Sequence, residues 1–356
     1  MSLRLFMAVV VVLLGLSGAG CTMVSTEQPL YGEKDKVNDV ALEGEWVPVG
    51  HNGGRTDKVK IERDEQGRYS IEGNFPDVDG VYETVLFKLG PHYMIEMGKL
   101  DRYQRQQKNE RHFGKIAMIE GRIFVAMPNG ENIWSLLKQD PTLLKHQAIV
   151  RGKNGDPFSW LTLTDSTENI RAFILKHGHA FFLYPLEAYR RPKDAKVPVS
   201  TVLQTKEQQT FEVMWLMWAH LRAIGYGGMT ARTGVKELDR GLDAGETFEL
   251  LPELELPESA CDPRVGKLYR EVRAAIVAVD ISAAKEAKPG EDKPEKEKED
   301  AEKRLARINA YFKDPLGARA GYLPKEHPQR EVLERLAKEL DEVTVEMEKK
   351  YDVRWR

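Results

Sequence analysis

KIAMIEGRIFVAM, residues 115–127, holds two apolar runs separated only by Glu120-Gly121. Two residues is the length of a tight hairpin. Ile116 and Met118, then Ile123 and Val125, recur at a spacing of two, which places each set on one face of a strand. The stretch therefore reads as two antiparallel strands, and the same grammar extends upstream. Val59 and Ile61 alternate with Lys58, Lys60 and Glu62. Tyr69 and Ile71 alternate with Arg68, Ser70 and Glu72. Val85, Phe87 and Leu89, then Tyr93, Ile95 and Met97, are again spaced by two. Asp64-Glu65-Gln66-Gly67, Asp79-Gly80 and Gly90-Pro91 supply turn chemistry between the runs. Short loops pair sequential strands antiparallel. From Gly44 to Met127 the sequence predicts a β-meander of seven or eight strands, curled into a barrel or half-barrel.

Downstream the period changes. Asn129 to Gln139 reads as a short helix with Ile133, Leu136 and Leu137 on one face. Phe158 to Thr164 alternates again. Asp165-Ser166-Thr167-Glu168 resembles a capping box with Asp as the cap, opening a helix that stops at Gly178. Phe181 to Tyr184 is expected as a last strand. Beyond Pro198 the chain turns helical. Thr205-Lys206-Glu207-Gln208 caps a long helix whose Phe211, Met214, Trp215, Trp218 and Leu221 share one side, with Arg222 at the edge and Gly225, Gly227 and Gly228 at the end. A second helix starts at Asp262, with Pro263 in its first turn and Val265, Leu268, Val272, Ile276 and Val279 buried. Residues 284–303 are charged and low in complexity, broken by Pro289 and Pro294. A helix from Ala301 to Phe312 follows, then one from Gln329 to Tyr351. In the last, Leu333, Leu336, Leu340, Val343 and Met347 form a heptad seam under three heptads long, expected to dock inside its own bundle. The fold class is α+β: an antiparallel β-meander or barrel over 43–191 with one or two appended helices, then a mainly helical domain over 200–356. The Pro-containing junction 192–198 predicts two separately folded units.

Lys and Arg number 53 and Asp and Glu 56, a net charge of −3. That balance gives no basic stripe for a nucleic-acid partner and no polybasic patch for lipid headgroups. Catalytic and metal motifs are present only as fragments. His177 and His179 flank Gly178 without the third and fourth ligands a metal needs. Asp77-Val78-Asp79-Gly80 starts like a calcium loop but lacks the later ligands. Gly225 to Gly228 follows a helix instead of preceding one, so its amides do not cradle phosphate. No catalytic, metal or cofactor-binding residue is assigned.

The N-terminus has Arg4 as its only charge before an apolar run from Leu5 to Leu16, then Ser17-Gly18-Ala19-Gly20 and Cys21. A positive start, a short apolar core and small residues make a secretory signal peptide. Small residues followed by cysteine resemble the lipobox of bacterial lipoproteins. The resemblance implies that the thiol of Cys21 takes a diacylglycerol and that residues 1–20 are removed before it. Ordinary cleavage after Ala19, or retention of Leu5 to Val24 as a membrane span, are the alternatives, and all three export the body of the protein. Thr22, where an inner-membrane lipoprotein of a diderm would carry Asp, implies an outer-membrane anchor facing the periplasm. Residues 21–42 are mostly polar and read as a tether; about 20 flexible residues have a span near 25 Å. With Cys21 lipidated, Cys261 has no disulfide partner and is expected as a small packed residue before a helix.

Gly44-Glu45-Trp46 at the first strand resembles the G-x-W motif that opens lipocalins, barrels that hold apolar ligands. The family also has a Thr-Asp before a late strand and an Arg near the barrel end. Thr164-Asp165 exists but reads as a helix cap. Three functions follow: a lipid-anchored envelope module that is structural or binds an envelope protein, a carrier of a small apolar ligand in a lipocalin-like barrel, or an enzyme whose site no motif reveals. A barrel plugged by Trp46 and its neighbours favours the first, a roomy interior the second, and a cleft with converging titratable groups the third.

Overall fold

The computed structural model describes residues 23–48, 58–73, 81–99, 111–128, 130–149, 160–182, 187–192, 202–230, 254, 256, 258–286 and 313–355. Strands β2 (Gly44–Pro48), β3 (Val59–Arg63), β4 (Tyr69–Glu72), β5 (Val81–Leu89), β6 (His92–Lys99), β7 (Arg111–Ile119) and β8 (Arg122–Ala126) follow one another as an antiparallel meander. β11 (Glu187–Arg190) pairs with both β8 and β2 and closes an eight-stranded barrel. The hairpin at Glu120-Gly121 is tight as expected. Glu120 has φ 51° and Gly121 φ 67°, the paired left-handed conformations that match the twist of two strands.

The last barrel strand is Glu187–Arg190, not Phe181–Tyr184; Phe181 ends a helix, and 183–186 lie outside the described residues. Between β8 and β11 the chain inserts α1 (Gly130–Gln139), β9 (His146–Ile149), β10 (Trp160–Leu163) and α2 (Thr167–Phe181). Ser166, not Asp165, is the N-cap of α2, its hydroxyl accepting from Asn169 N. The Asp165 carboxylate instead accepts from Lys145 N at 3.0 Å and Ser166 N at 2.8 Å. The helix also runs three residues past Gly178.

The segment expected as a tether is part of the fold from Met23 onward. β1 (Met23–Thr26) lies between β10, to which it is parallel, and β7, to which it is antiparallel. Leu30 is fully buried, and its N–H donates to Glu96 Oε2 at 2.7 Å. Val37 N donates to Leu86 O, and Asp39 N to the Tyr69 hydroxyl. Polar residues here are buried because they are paired: Ser25 Oγ lies 3.1 Å from Thr162 Oγ1, and Asp39 accepts from Ala41 N and Leu203 N.

Burial on both faces of β5 to β8 explains a second difference. Leu86, Ile95, Met97, Ile116, Met118, Ile123 and Val125 point into the barrel. Phe87, Leu89, Met94, Phe113, Ala117 and Phe124 point outward and join the helical core. Phe87 and Leu89 share one face of β5, as their spacing of two predicts, but that face meets the helices and not the barrel interior. The helix α3 (Lys206–Thr230) covers this outer wall. Gln208 through Ala219 are all buried, so the single stripe from Phe211 to Leu221 is only half the contact; Val213, Leu216 and Met217 are buried as well. A helix apolar all round is an interior helix. It lies between β7 and the helices α4 (Pro263–Glu286), α5 (Pro315–Tyr322) and α6 (Pro328–Tyr351), and it continues through Gly225, Gly227 and Gly228 to Thr230. The outer face of the barrel wall and the helices contribute to one apolar cluster, and the barrel interior forms a second. The expected helix 301–312 and most of the charged segment 284–303 fall outside the described residues, although α4 reaches Glu286.

The terminal heptad seam docks internally. Leu333, Leu336, Leu340, Val343 and Met347 are buried. Arg264 of α4 makes a two-pronged pair with Glu346, both contacts at 2.7 Å, and Arg335 reaches Glu271 at 3.0 Å. Leu340→Ala is expected to destabilise the fold by about 2–5 kcal/mol, read from denaturant unfolding. An unshifted unfolding midpoint would place the seam elsewhere.

Candidate functional site

Two groups of polar side chains are built into the barrel's seams. The first closes the barrel. Trp46 is 0% exposed and donates from Nε1 to Leu42 O at 2.8 Å. Arg191, directly after β11, lays its guanidinium over that ring, 4.0 Å from the centroid, and donates from Nη2 to Ala41 O at 2.7 Å. Gly44, two residues before Trp46, has φ +114°, and a Cβ there would run into Arg191 Nη1. The glycine is required twice, by backbone conformation and by the arginine. Burial lowers the Arg191 pKa, yet the charge is stabilised by the ring's electron-rich face. Gly44→Ala is expected to displace the arginine and cost about 1–3 kcal/mol. A thermal unfolding midpoint equal to that of the native chain would count against the clasp.

Behind Trp46, Tyr69, Tyr93 and Tyr189 reach into the barrel at 4% exposure or less and pack against Val59, Ile61 and Ile95. Tyr69 donates its hydroxyl to Asp39 O. Among the described residues the interior is a packed core.

The second group lies between barrel and helix. Lys115 of β7 and Glu212 of α3 are 0% and 1% exposed and 2.6 Å apart. Gln208 Nε2 donates to the other Glu212 oxygen at 2.7 Å and to Pro91 O at 3.1 Å. The Lys115 ammonium also sits 4.6 Å from the Trp215 ring and 5.1 Å from that of Phe211. Gln209 Nε2 donates to Met118 O and Leu203 O. Burial pushes the Lys115 pKa down and that of Glu212 up, and each partner's charge resists the push. His92, its ring edge-on to Phe211, titrates well below the usual histidine range because of burial and the Lys115 charge. Glu96 is a smaller version of this pairing. It is buried, accepts from Arg111 Nη1 at 2.9 Å and from Leu30 N, and so holds the N-terminal segment to the barrel wall. A pair with no solvent contact serves as a clasp; a nucleophile or base must reach a substrate.

Cys21 lies outside the described residues, two positions before β1. Cys261 is buried and free just before α4, with its thiol pKa raised by burial. His177 is half-buried, 5.0 Å from the Phe173 ring; the His179 side chain and Asp77 to Gly80 are outside the described residues. Among the described residues, no group of three or more His, Cys, Asp or Glu is placed to hold a metal ion, and no helix is long and apolar enough to cross a membrane. Sequence reasoning missed Lys115, Glu212, Glu96 and Arg191.

His220 of α3 gives a pH signature. Its Nδ1 is 3.0 Å from Leu216 O, and burial lowers its pKa to about 4. Below pH ~6.5 the unfolded chain takes up a proton that the folded chain refuses, so stability falls as pH drops toward 4. Glu96 and Glu212, whose pKa values are raised, act in the opposite sense, which a comparison with His220→Gln cancels. From pH 7 to 4.5 the native chain is expected to lose about 2–3 kcal/mol more than His220→Gln. Parallel pH profiles would contradict the burial of a neutral ring.

No family model, curated protein or solved structure matches the chain.

Proposed function

We propose that the chain is a lipid-anchored cell-envelope protein, a structural or protein-interaction module held to the membrane through Cys21. The observation that carries this reading is the filled barrel: Trp46 and three tyrosines occupy the interior, leaving the outer surface as the working face. The N-terminal apolar run ending at Cys21 supports export and anchoring. In a diderm the anchor is in the outer membrane, facing the periplasm. Cys21→Ser is expected to abolish labelling by a fatty-acid probe and release the protein to soluble fractions. Unchanged labelling would defeat the anchor.

The carrier reading draws on the closed barrel and on the Arg191–Trp46 stack, which puts an arginine near the barrel end as the lipocalin resemblance implies. That supports a lipocalin-like frame; the packed interior argues against a lipocalin-like cargo.

A further inference from the structure

We infer that the segment beyond α6, Asp352 to Trp355, is a releasable strap over an aromatic slot, and that the slot docks an extended peptide anchored by one tryptophan. This deepens the protein-interaction reading above and rests on it. The slot has three walls from three elements. Phe211 of α3 is 0% exposed. Its ring lies 5.2 Å from that of His92 on β6, 5.2 Å from that of Tyr351 at the end of α6, and 5.3 Å from that of Trp355. Of these rings only Trp355 belongs to the strap. The walls are held without it: Tyr351 donates its hydroxyl to Glu207 O at 2.9 Å, and the Lys115 ammonium lies 5.1 Å from the Phe211 ring. The slot is therefore organised before anything enters it, which lowers the cost of binding.

The strap itself shows which chemistry the slot takes. Asp352 has φ 53°, a left-handed turn that ends α6 and sends the chain back toward α3. Trp355 is 3% exposed, whereas Asp352 and Arg354 are exposed and Val353 is half-buried. One aromatic side chain thus carries the contact. The hold on it is light. Val353 N–H donates to Glu348 O at 3.1 Å and Trp355 N–H to Glu348 Oε1 at 2.7 Å, so both bonds return to one residue of α6. The Trp355 indole N–H is buried with no hydrogen-bond partner among the described residues, which offsets part of the gain from burying the ring. A segment with few backbone bonds and an unsatisfied buried donor opens locally before the packed helices do. A tryptophan on a separate extended peptide makes the same ring contacts, so strap and partner exclude each other and the strap is autoinhibitory.

The test titrates the full chain with a dansyl-labelled peptide of residues 352–356. Trp355→Ala, which vacates the slot, is expected to bind it one-to-one and at least tenfold more tightly than the native chain, whose own strap competes. Glu348→Ala, which loosens the strap and leaves the slot intact, is expected to fall between them. The same peptide carrying Trp355→Ala is expected not to bind. Hydrogen exchange of the native chain reads the release directly: the Val353 and Trp355 amides are expected to exchange at least tenfold faster than those from Leu340 to Met347. Exchange of both segments in step, equal peptide affinity in the native chain and Trp355→Ala, or no binding to any of the three proteins overturns the strap. Fatty-acid labelling at Cys21 is scored separately. Labelled protein that fails the peptide test loses the slot alone, and unlabelled protein that passes it keeps the slot and loses the anchor.

Discussion

Lys115→Met is expected to cost about 3–5 kcal/mol, because it leaves the Glu212 carboxylate buried without its cation. The Gln208 amide still donates to that carboxylate, but one neutral hydrogen bond does not replace an ion pair lost from solvent. Glu212→Leu alone should cost a similar amount, stranding the ammonium between the Phe211 and Trp215 rings. The double substitution Lys115→Met with Glu212→Leu is expected to recover most of the loss, since an apolar pair of similar volume needs no desolvation. Denaturant unfolding of all four proteins closes the cycle. Additive losses would mean that the two side chains act independently and that α3 is held to the barrel by apolar packing alone.

Trp46→Ala is expected to cost about 3–5 kcal/mol, the range for truncating a large buried aromatic. The loss has two sources: a void at the barrel's closed end and an Arg191 guanidinium deprived of the ring beneath it. Trp46→Phe keeps a ring under the arginine and should cost less. Arg191→Met should cost less than Trp46→Ala, because it removes the buried charge along with the stack. Unfolding free energies from circular dichroism rank the three, and a Trp46→Ala loss below 1 kcal/mol would show that the tryptophan is not a plug.

The barrel was legible where local chemistry and global fold agree. Glu120-Gly121 is a two-residue turn, and the residues on either side alternate because one face of the sheet is always inside. The terminal seam was legible for the same reason at a period of 3.5, with every expected residue buried. What stayed hidden depends on partners distant in sequence. β1 is four residues, MVST, and its burial is decided by Thr162, 137 positions away. Lys115 alternates with Ile116 and so looks like a solvent-facing residue of a half-exposed strand. Only the arrival of α3 turns that outer face into an interior. Its signal, in hindsight, is a single acid inside FEVMWLMW: a lone charge in an apolar helix needs a buried partner. Arg191 was read as part of a domain boundary because a proline follows it, whereas its side chain completes the barrel. Anchoring through Cys21 is proposed from the sequence of the first 22 residues alone.

Whether the barrel is a packed body or a container is tested most directly by titrating the protein with a fluorescent fatty acid and following probe and tryptophan emission together. A filled interior predicts no saturable one-to-one uptake and no change at Trp46. Stoichiometric uptake that Ile95→Trp abolishes, by filling the barrel from within, would contradict it and make the chain a carrier.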